Sequence, residues 1–291
     1  MGKYSIKELE RLSGIKAHTI RIWEKRYNII CPSRTETNIR TYSDEDLKKI
    51  LNISILNSNG YKISQIANLT DDEILAFVQE LAEEKPNTDI FIDQLTMSMI
   101  EFDEIKFEFL LTDFIEKYGF QNTIVEIIYP FLQKIGILWL SNNINPIQEH
   151  FMSNLIRQKI IVAIDGLSSK VADDAKSVVL FLPENELHEI GLLFYYFLLK
   201  NLGYKTYYLG QYVPIKELET SVDILKPDFL VASISNPLTA RKFGEFLTLL
   251  STKFPNQEVY LTGKPVFTTG DQLPKNVHSF NDAAHLVKLF S

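Results

Sequence analysis

The chain of 291 residues is long enough for two or three domains, each with its own core. Its 45% hydrophobic and 23% charged content excludes wholesale disorder and collagen-like repeats, and its one cysteine, Cys31, excludes a disulfide framework or a Cys-rich zinc module. A net charge of −7 argues against nucleic acid only if the charge is evenly spread, and it is not.

Within residues 1–42, nine Lys/Arg face four Glu, so this segment is +5 and the remainder of the chain −12. Such a basic block inside an acidic protein is a nucleic-acid footprint. Ser5 with Glu8 forms a capping box, Ile6, Leu9 and Leu12 share one helical face, and Ser13-Gly14 ends the helix. A second helix follows, with Ile20, Trp23 and Tyr27 on its apolar stripe and Lys16, His18, Thr19, Arg21 and Arg26 off it. Two short helices around a Gly turn read as a helix-turn-helix, whose second helix can enter a major groove. Residues 31–43 hold two short β-prone pieces around a polar tip and read as a wing, offering Arg34 and Arg40 to phosphates beside Tyr42. Ser43 then starts another helix, with Asp44, Glu45 and Asp46 in its first turn.

The pattern Ile20-Arg21-x-Trp23-Glu24-x-Arg26-Tyr27, then Pro32-x-Arg34 and Asn38-x-Arg40-x-Tyr42-Ser43, resembles the winged-helix DNA-binding domain of the MerR family of transcriptional regulators. It departs from that family at Asn38, where Gly is usual; Asn tolerates positive φ better than most residues, so the wing survives the change. The expected head spans residues 1–82.

Residues 83–89 are polar and contain Pro86, the best candidate boundary. From 88 to 170 helical segments at 90–101, 103–118, 122–140 and 146–167 predict an antiparallel four-helix bundle. Trp139 is followed after nine residues by Glu149 and His150, and the loop 141–145 could gather all three at one end of the bundle to line a pocket for a planar ligand. By themselves they read more readily as a core Trp and a solvated helix start.

From 175 to 291 strands and helices alternate: strands at 177–182, 205–209, 228–234 and 258–261, helices at 189–201, 215–225, 238–250 and 281–290. Apolar strands in a β-α-β repeat predict a Rossmann-like, flavodoxin-type parallel sheet covered on both faces, with ligands at the carboxyl ends of its strands. The loop after the first strand carries Glu186, His188 and Gly191. Neutral imidazole ligates transition metals, and a carboxylate on its other nitrogen fixes the tautomer. With no second His or Cys nearby, His188 suits an axial position on a metal already held by a macrocycle.

The spacing Glu-x-Glu-x-His-x-x-Gly resembles the lower-ligand motif of the cobalamin-binding fold, in which a four-helix cap with a Trp-x9-Glu-His motif precedes the α/β domain. The resemblance implies His188 as the lower cobalt ligand, Trp139 as the lid, Glu149 and His150 near the upper ligand, and Ser233, Ser235 and Gly263 along the nucleotide-tail route. With its MerR-like head, the whole chain looks like a cobalamin-dependent photoreceptor repressor of the CarH/LitR type. That family implies adenosylcobalamin, or methylcobalamin, as cofactor. It further implies a homodimer or homotetramer gripping a roughly palindromic double-stranded operator, released when light breaks the cobalt–carbon bond. Two departures stand out: Leu140 where some members have a His that captures cobalt, and Lys264 where the tail route has a second Gly. They keep open an alternative, a regulator that has lost cobalamin and answers to a partner protein. A corrinoid-shuttle enzyme would have no use for a DNA-binding head, so no enzymatic activity is expected. The N-terminus has no signal-like apolar core and no apolar run spans a bilayer, so a soluble cytoplasmic protein without membrane contact is expected.

Overall fold

A computed structural model describes residues 3–84, 88–140, 145–167, 171–236, 239–268 and 273–291, excluding the side chains at 79, 82–84, 137–140, 240 and 268. The chain forms two compact units, Met1–Leu155 and Ile156–Ser291. Among the described residues no helix is long and apolar enough to cross a membrane.

The first unit opens with α1 (Ile6–Ser13), whose Ser5/Glu8 capping box forms in both directions and whose end is Gly14 at φ 73. Next comes α2 (Ala17–Tyr27), closed by Asn28 in the left-handed region. The wing is β1 (Ser33–Arg34) antiparallel to β2 (Arg40–Thr41), with Arg34 opposite Arg40. Asn38 at the turn has φ 62, so it takes the conformation that Gly would supply. Tyr4 pairs its backbone with Tyr42, adding a third short piece to the wing. Helix α3 (Asp44–Ser58) starts on a Ser43/Asp46 capping box and is followed by α4 (Ile63–Ile66) and α5 (Asp71–Glu84).

Helix α6 (Thr88–Glu101) has ten consecutive buried residues, 90–99, including Asp93, Gln94, Thr96 and Ser98. A helix buried on every side must have neighbours on every side; α6 packs against α3 and α5 as well as against α7 (Glu104–Tyr118) and α9 (Tyr129–Leu140). The buried hydroxyls of Thr96 and Ser98 are satisfied by carbonyls one turn back, and Asp93 by an ion pair with Lys134. Between α8 (Phe120–Thr123) and α9 the helix widens into one π turn, Ile124–Ile128, in which the N–H of Tyr129 reaches Ile124 O. Pro130, which has no N–H for residue 126, accounts for the widening. Helix α10 (Pro146–Asp165) crosses from the first unit into the second.

The second unit is a five-stranded parallel sheet in the order β4-β3-β5-β6-β7: β3 (Ser177–Pro183), β4 (Lys205–Val213), β5 (Phe229–Ser233), β6 (Glu258–Thr262) and β7 (Val277–Ser279). Its helices are α11 (Ile190–Asn201), α12 (Ile215–Leu225), α13 (Ala240–Lys253), α14 (Lys264–Thr268) and α15 (Ala283–Phe290). Alternation sorts the strand residues: Val179, Phe181, Leu230, Ala232 and Leu261 face a core shared with Leu218, Val222, Phe243 and Leu247 of α12 and α13. Val178, Leu180 and Val231, all fully buried, take the opposite face, where α11 and α15 pack together. This is the doubly wound sheet the apolar strands predict. Three details differ from the sequence-based expectation. Strand β4 runs on to Val213 through Gly210 and Tyr212 at positive φ, with register shifts against β3, and α14 and β7 are additional short elements.

Candidate functional site

In the doubly wound order the crevice lies where neighbouring strands send their connections to opposite faces; here that is between β3 and β5. The loop 184–189 follows β3, and the segment 234–236 follows β5. Glu186 joins them. Its Oε1 lies 2.6 Å from His188 Nδ1 and accepts the backbone N–H of His188 (3.0 Å) and Leu187 (3.1 Å). Its Oε2 accepts the backbone N–H of Ser235 (2.6 Å) and Asn236 (2.8 Å). Glu186 is 2% exposed. Burial alone would raise its pKa, but the hydrogen bonds from His188 and from the N–H groups of Asn236, His188 and Ser235 outweigh it and hold the carboxyl down at about 2. A buried carboxylate that stays ionised is a fixed acceptor, so Nδ1 of His188 carries a proton, and in the neutral imidazole Nε2 is left with the lone pair.

The side chain of His188 is 58% exposed. An open cavity of about 1120 Å³ lies beside the pair, lined by Asn185, Glu186, Ile215, Ile234, Lys242 and Phe246 among others. Glu186 lines this cavity, and His188 does not. Gly191 is the second residue of α11, with open space where a Cβ would point. Ser233, 8% exposed, ends β5. Gly263 follows β6 at φ 114, and a Cβ there would sit 2.0 Å from Ile234 O. Its glycine identity is therefore required by the approach of two strand ends. Among the described residues no group of three or more His, Cys, Asp or Glu is placed to hold a metal ion. An imidazole with a carboxylate on its other nitrogen has the donor chemistry to hold a transition metal such as cobalt, while Lys264 opens α14 where the resemblance has a second Gly.

In the first unit, Glu149 and His150 lie in the first turn of α10, with Glu149 Oε2 3.6 Å from His150 Nε2. The side chain of His150 is 73% exposed, and Glu149 is engaged by the Ser153 hydroxyl. The Trp139 side chain, and loop residues 141–144, lie outside the described residues, so the gathering of Trp139, Glu149 and His150 is not visible.

The candidate DNA surface is built on α2 and the wing. Lys16 precedes α2 and pairs with Glu10 at 3.1 Å. His18, Arg21 and Arg26 are exposed on α2, Thr19 half-buried, and Arg26 lies over the Tyr27 ring at 5.3 Å. Arg34 at the wing donates to Asn38 Oδ1 at 2.6 Å, bracing the turn. Two wing residues have inward partners: Arg40 Nε donates to Glu24 Oε1 at 3.0 Å, and the Tyr42 hydroxyl to Glu24 Oε2 at 3.2 Å. Tyr42 is 1% exposed, and burial with the Glu24 charge pushes its hydroxyl up to about 12. This corrects the reading of Tyr42 as a DNA contact: its ring belongs to the head's core and its hydroxyl to the wing's attachment. Glu24 stands in the motif read from the sequence, but its role as a clamp shows only in the fold, because its partners lie sixteen and eighteen residues away.

Residues 4–73 match the family model of the MerR HTH family regulatory protein, and residues 91–163 that of the B12 binding domain. The chain is 27% identical over 273 residues to the HTH-type transcriptional repressor CarH of Myxococcus xanthus, covering 92% of this chain and 88% of that protein. It is 27% identical over 249 residues to the repressor CarA of the same organism, covering 84% and 80%. Among solved structures, the Methanosarcina barkeri monomethylamine corrinoid protein shares its fold, with a TM-score of 0.56 at 15% identity over 70% of this chain and 98% of that one.

Proposed function

The chain joins a MerR-type helix-turn-helix domain to a B12-binding domain, and from that premise we propose that it is a cytoplasmic transcriptional repressor whose grip on DNA is set by bound adenosylcobalamin and released by light. The observation that carries the proposal is the Glu186–His188 pair at the carboxyl ends of the sheet, in a chain whose head is basic and winged. In functional terms the head is 1–82, the helical cap 88–170 and the cofactor domain 175–291. Bound adenosylcobalamin would supply a cobalt–carbon bond that visible light cleaves. His188 would hold the cobalt through Nε2, and Glu186 would keep its Nδ1 protonated. Trp139, Glu149, His150, Ser233, Ser235 and Gly263 would be further cofactor-binding residues. On DNA, Arg21 and Arg26 would read or brace the major groove, with Lys16, His18, Thr19, Arg34 and Arg40 at its rim. Two such heads in a homodimer or homotetramer match a roughly palindromic operator. An assembly that holds DNA better with the cofactor bound would let go when that differential affinity is lost.

The test is direct. Protein mixed with adenosylcobalamin in the dark is desalted, its visible spectrum recorded before and after illumination, and its operator binding and mass measured in both states. Retained colour, a light-induced spectral change and light-induced release from DNA are expected; a colourless protein sinks the cofactor reading. A second reading, a repressor that keeps the fold without cofactor and is controlled by a partner protein, is favoured by Leu140 and Lys264. It predicts a colourless protein that still binds its operator.

A further inference from the structure

The loop bearing His188 is fastened on both sides, and only one fastening belongs to the ligand pair. Ahead of His188 stands Glu186. The carbonyl of Leu187 accepts from Gln211 Nε2 at 2.6 Å. Behind His188, Glu189 has a side chain only 12% exposed. Its Oε1 accepts from Arg157 Nε at 2.5 Å, and its Oε2 from the Tyr208 hydroxyl at 2.9 Å. The Glu189 carbonyl accepts the N–H of Leu193 at 2.8 Å, the first hydrogen bond of α11. Tyr208 is fixed in turn: it lies on β4 opposite Leu180 of β3 and stacks on Tyr196 of α11, ring centres 5.3 Å apart at 13°.

A carboxylate whose two oxygens are taken by donors from different elements cannot turn without breaking one bond, so it anchors its own backbone. An imidazole that is more than half exposed is aimed by its Nδ1 partner and by the position of its Cα, and the neighbouring anchor sets the latter. We propose that Glu189, held by Tyr208 and Arg157, is the positioning residue for the His188 imidazole, so that cobalt ligation depends on one side chain of the sheet and one of helix α10. This rests on the reading of His188 as a cobalt ligand. Arg157 lies in the part of α10 that belongs to the second unit, so the Glu189 anchor and the His188 loop lie within one compact unit.

The experiment uses the full chain with Tyr208→Phe, Arg157→Ala, Arg157→Lys and His188→Ala. Circular dichroism checks folding, and Glu189→Gln replaces any variant that fails it. Two quantities are read: amide exchange at residues 187–190 without cofactor, and the visible spectrum of bound adenosylcobalamin, which separates imidazole-ligated from unligated cobalt. Tyr208→Phe and Arg157→Ala are expected to speed exchange about tenfold, the effect of losing one charge-assisted hydrogen bond, and to shift the spectrum toward the unligated form, with Arg157→Lys largely restoring it. If His188→Ala changes the spectrum while Tyr208→Phe and Arg157→Ala change neither quantity, the positioning role is wrong. If His188→Ala leaves the spectrum as it was, the ligand reading falls and the proposal with it.

Discussion

Arg40 Nε donates to Glu24 Oε1 at 3.0 Å, tying the second strand of the wing to the exposed helix α2. Because Tyr42 takes the other oxygen, Glu24 sets the angle between the two elements that would meet DNA. Glu24→Gln should therefore weaken operator binding about tenfold at fixed salt, by loosening the charge-assisted bond. Removal of a negative charge near DNA strengthens binding through electrostatics alone. A measured gain in affinity, by fluorescence anisotropy, would show that Glu24 acts only as a charge.

Arg34 and Arg40 make a separate prediction about salt. Each alanine substitution at a phosphate-contacting arginine lowers the slope of log K against log salt by about one and weakens binding evenly across sequences. Titrations at several salt concentrations with specific and random duplexes check this. An unchanged slope for Arg34→Ala removes it from the interface.

Glu186 makes stability depend on acid. Its carboxyl titrates at about 2 in the folded chain against an ordinary 4.5. A depressed folded value contributes stability that is complete above about 4.5 and lost as pH falls from there toward about 2. Glu186→Gln should cost about 2–3 kcal/mol at pH 7. Urea titrations of cofactor-free wild type and variant should converge as the pH approaches 2.5. A gap that stays constant across that window contradicts the ionised, hydrogen-bonded carboxylate.

Gly263→Ala places a methyl 2.0 Å from Ile234 O at a φ of 114, so β5 and β6 must part. The expected loss is about 2–4 kcal/mol from strain and displaced strand ends, read as a lower melting temperature. Gly191→Ala, with open space at its Cβ, should be near neutral and serves as the control.

Lys134→Met strands Asp93, whose pKa burial already raises against the pull of Lys134. The single change should destabilise the bundle by about 3 kcal/mol or more at pH 7, and the double change Asp93→Leu/Lys134→Met should recover most of it. A double variant no better than the single would mean that packing, and not charge, governs the site.

Much of this was legible from local chemistry. The capping boxes at Ser5/Glu8 and Ser43/Asp46, the left-handed Asn38 and the apolar strands β3 and β5 are all set by residues within a few positions of one another. What escaped depends on distance. Strand β7 is three residues of edge, recognisable only by its pairing with β6. The end of β4 is hidden by Gly210 and Tyr212, which break its alternation. The clamp at Glu24 and the anchor at Glu189 join residues far apart in sequence, and a lone Glu carries no sign of which donors it will meet. Glu186 and His188 are legible as a pair because they lie two residues apart, whereas the N–H groups of Ser235 and Asn236 come from the segment after β5, some fifty residues on.

Helix α6 packs against α3 and α5 as well as against α7 and α9. A fragment cut at residue 84 would bare the apolar surfaces of α3 and α5 that α6 covers, and so would invite aggregation. The DNA-binding end of this chain is thus not an interchangeable cartridge: transplanting it onto another sensor, by recombination or by engineering, means carrying α6 along, and any sensor that accepts α6 inherits a helix packed against α3 and α5 of the head.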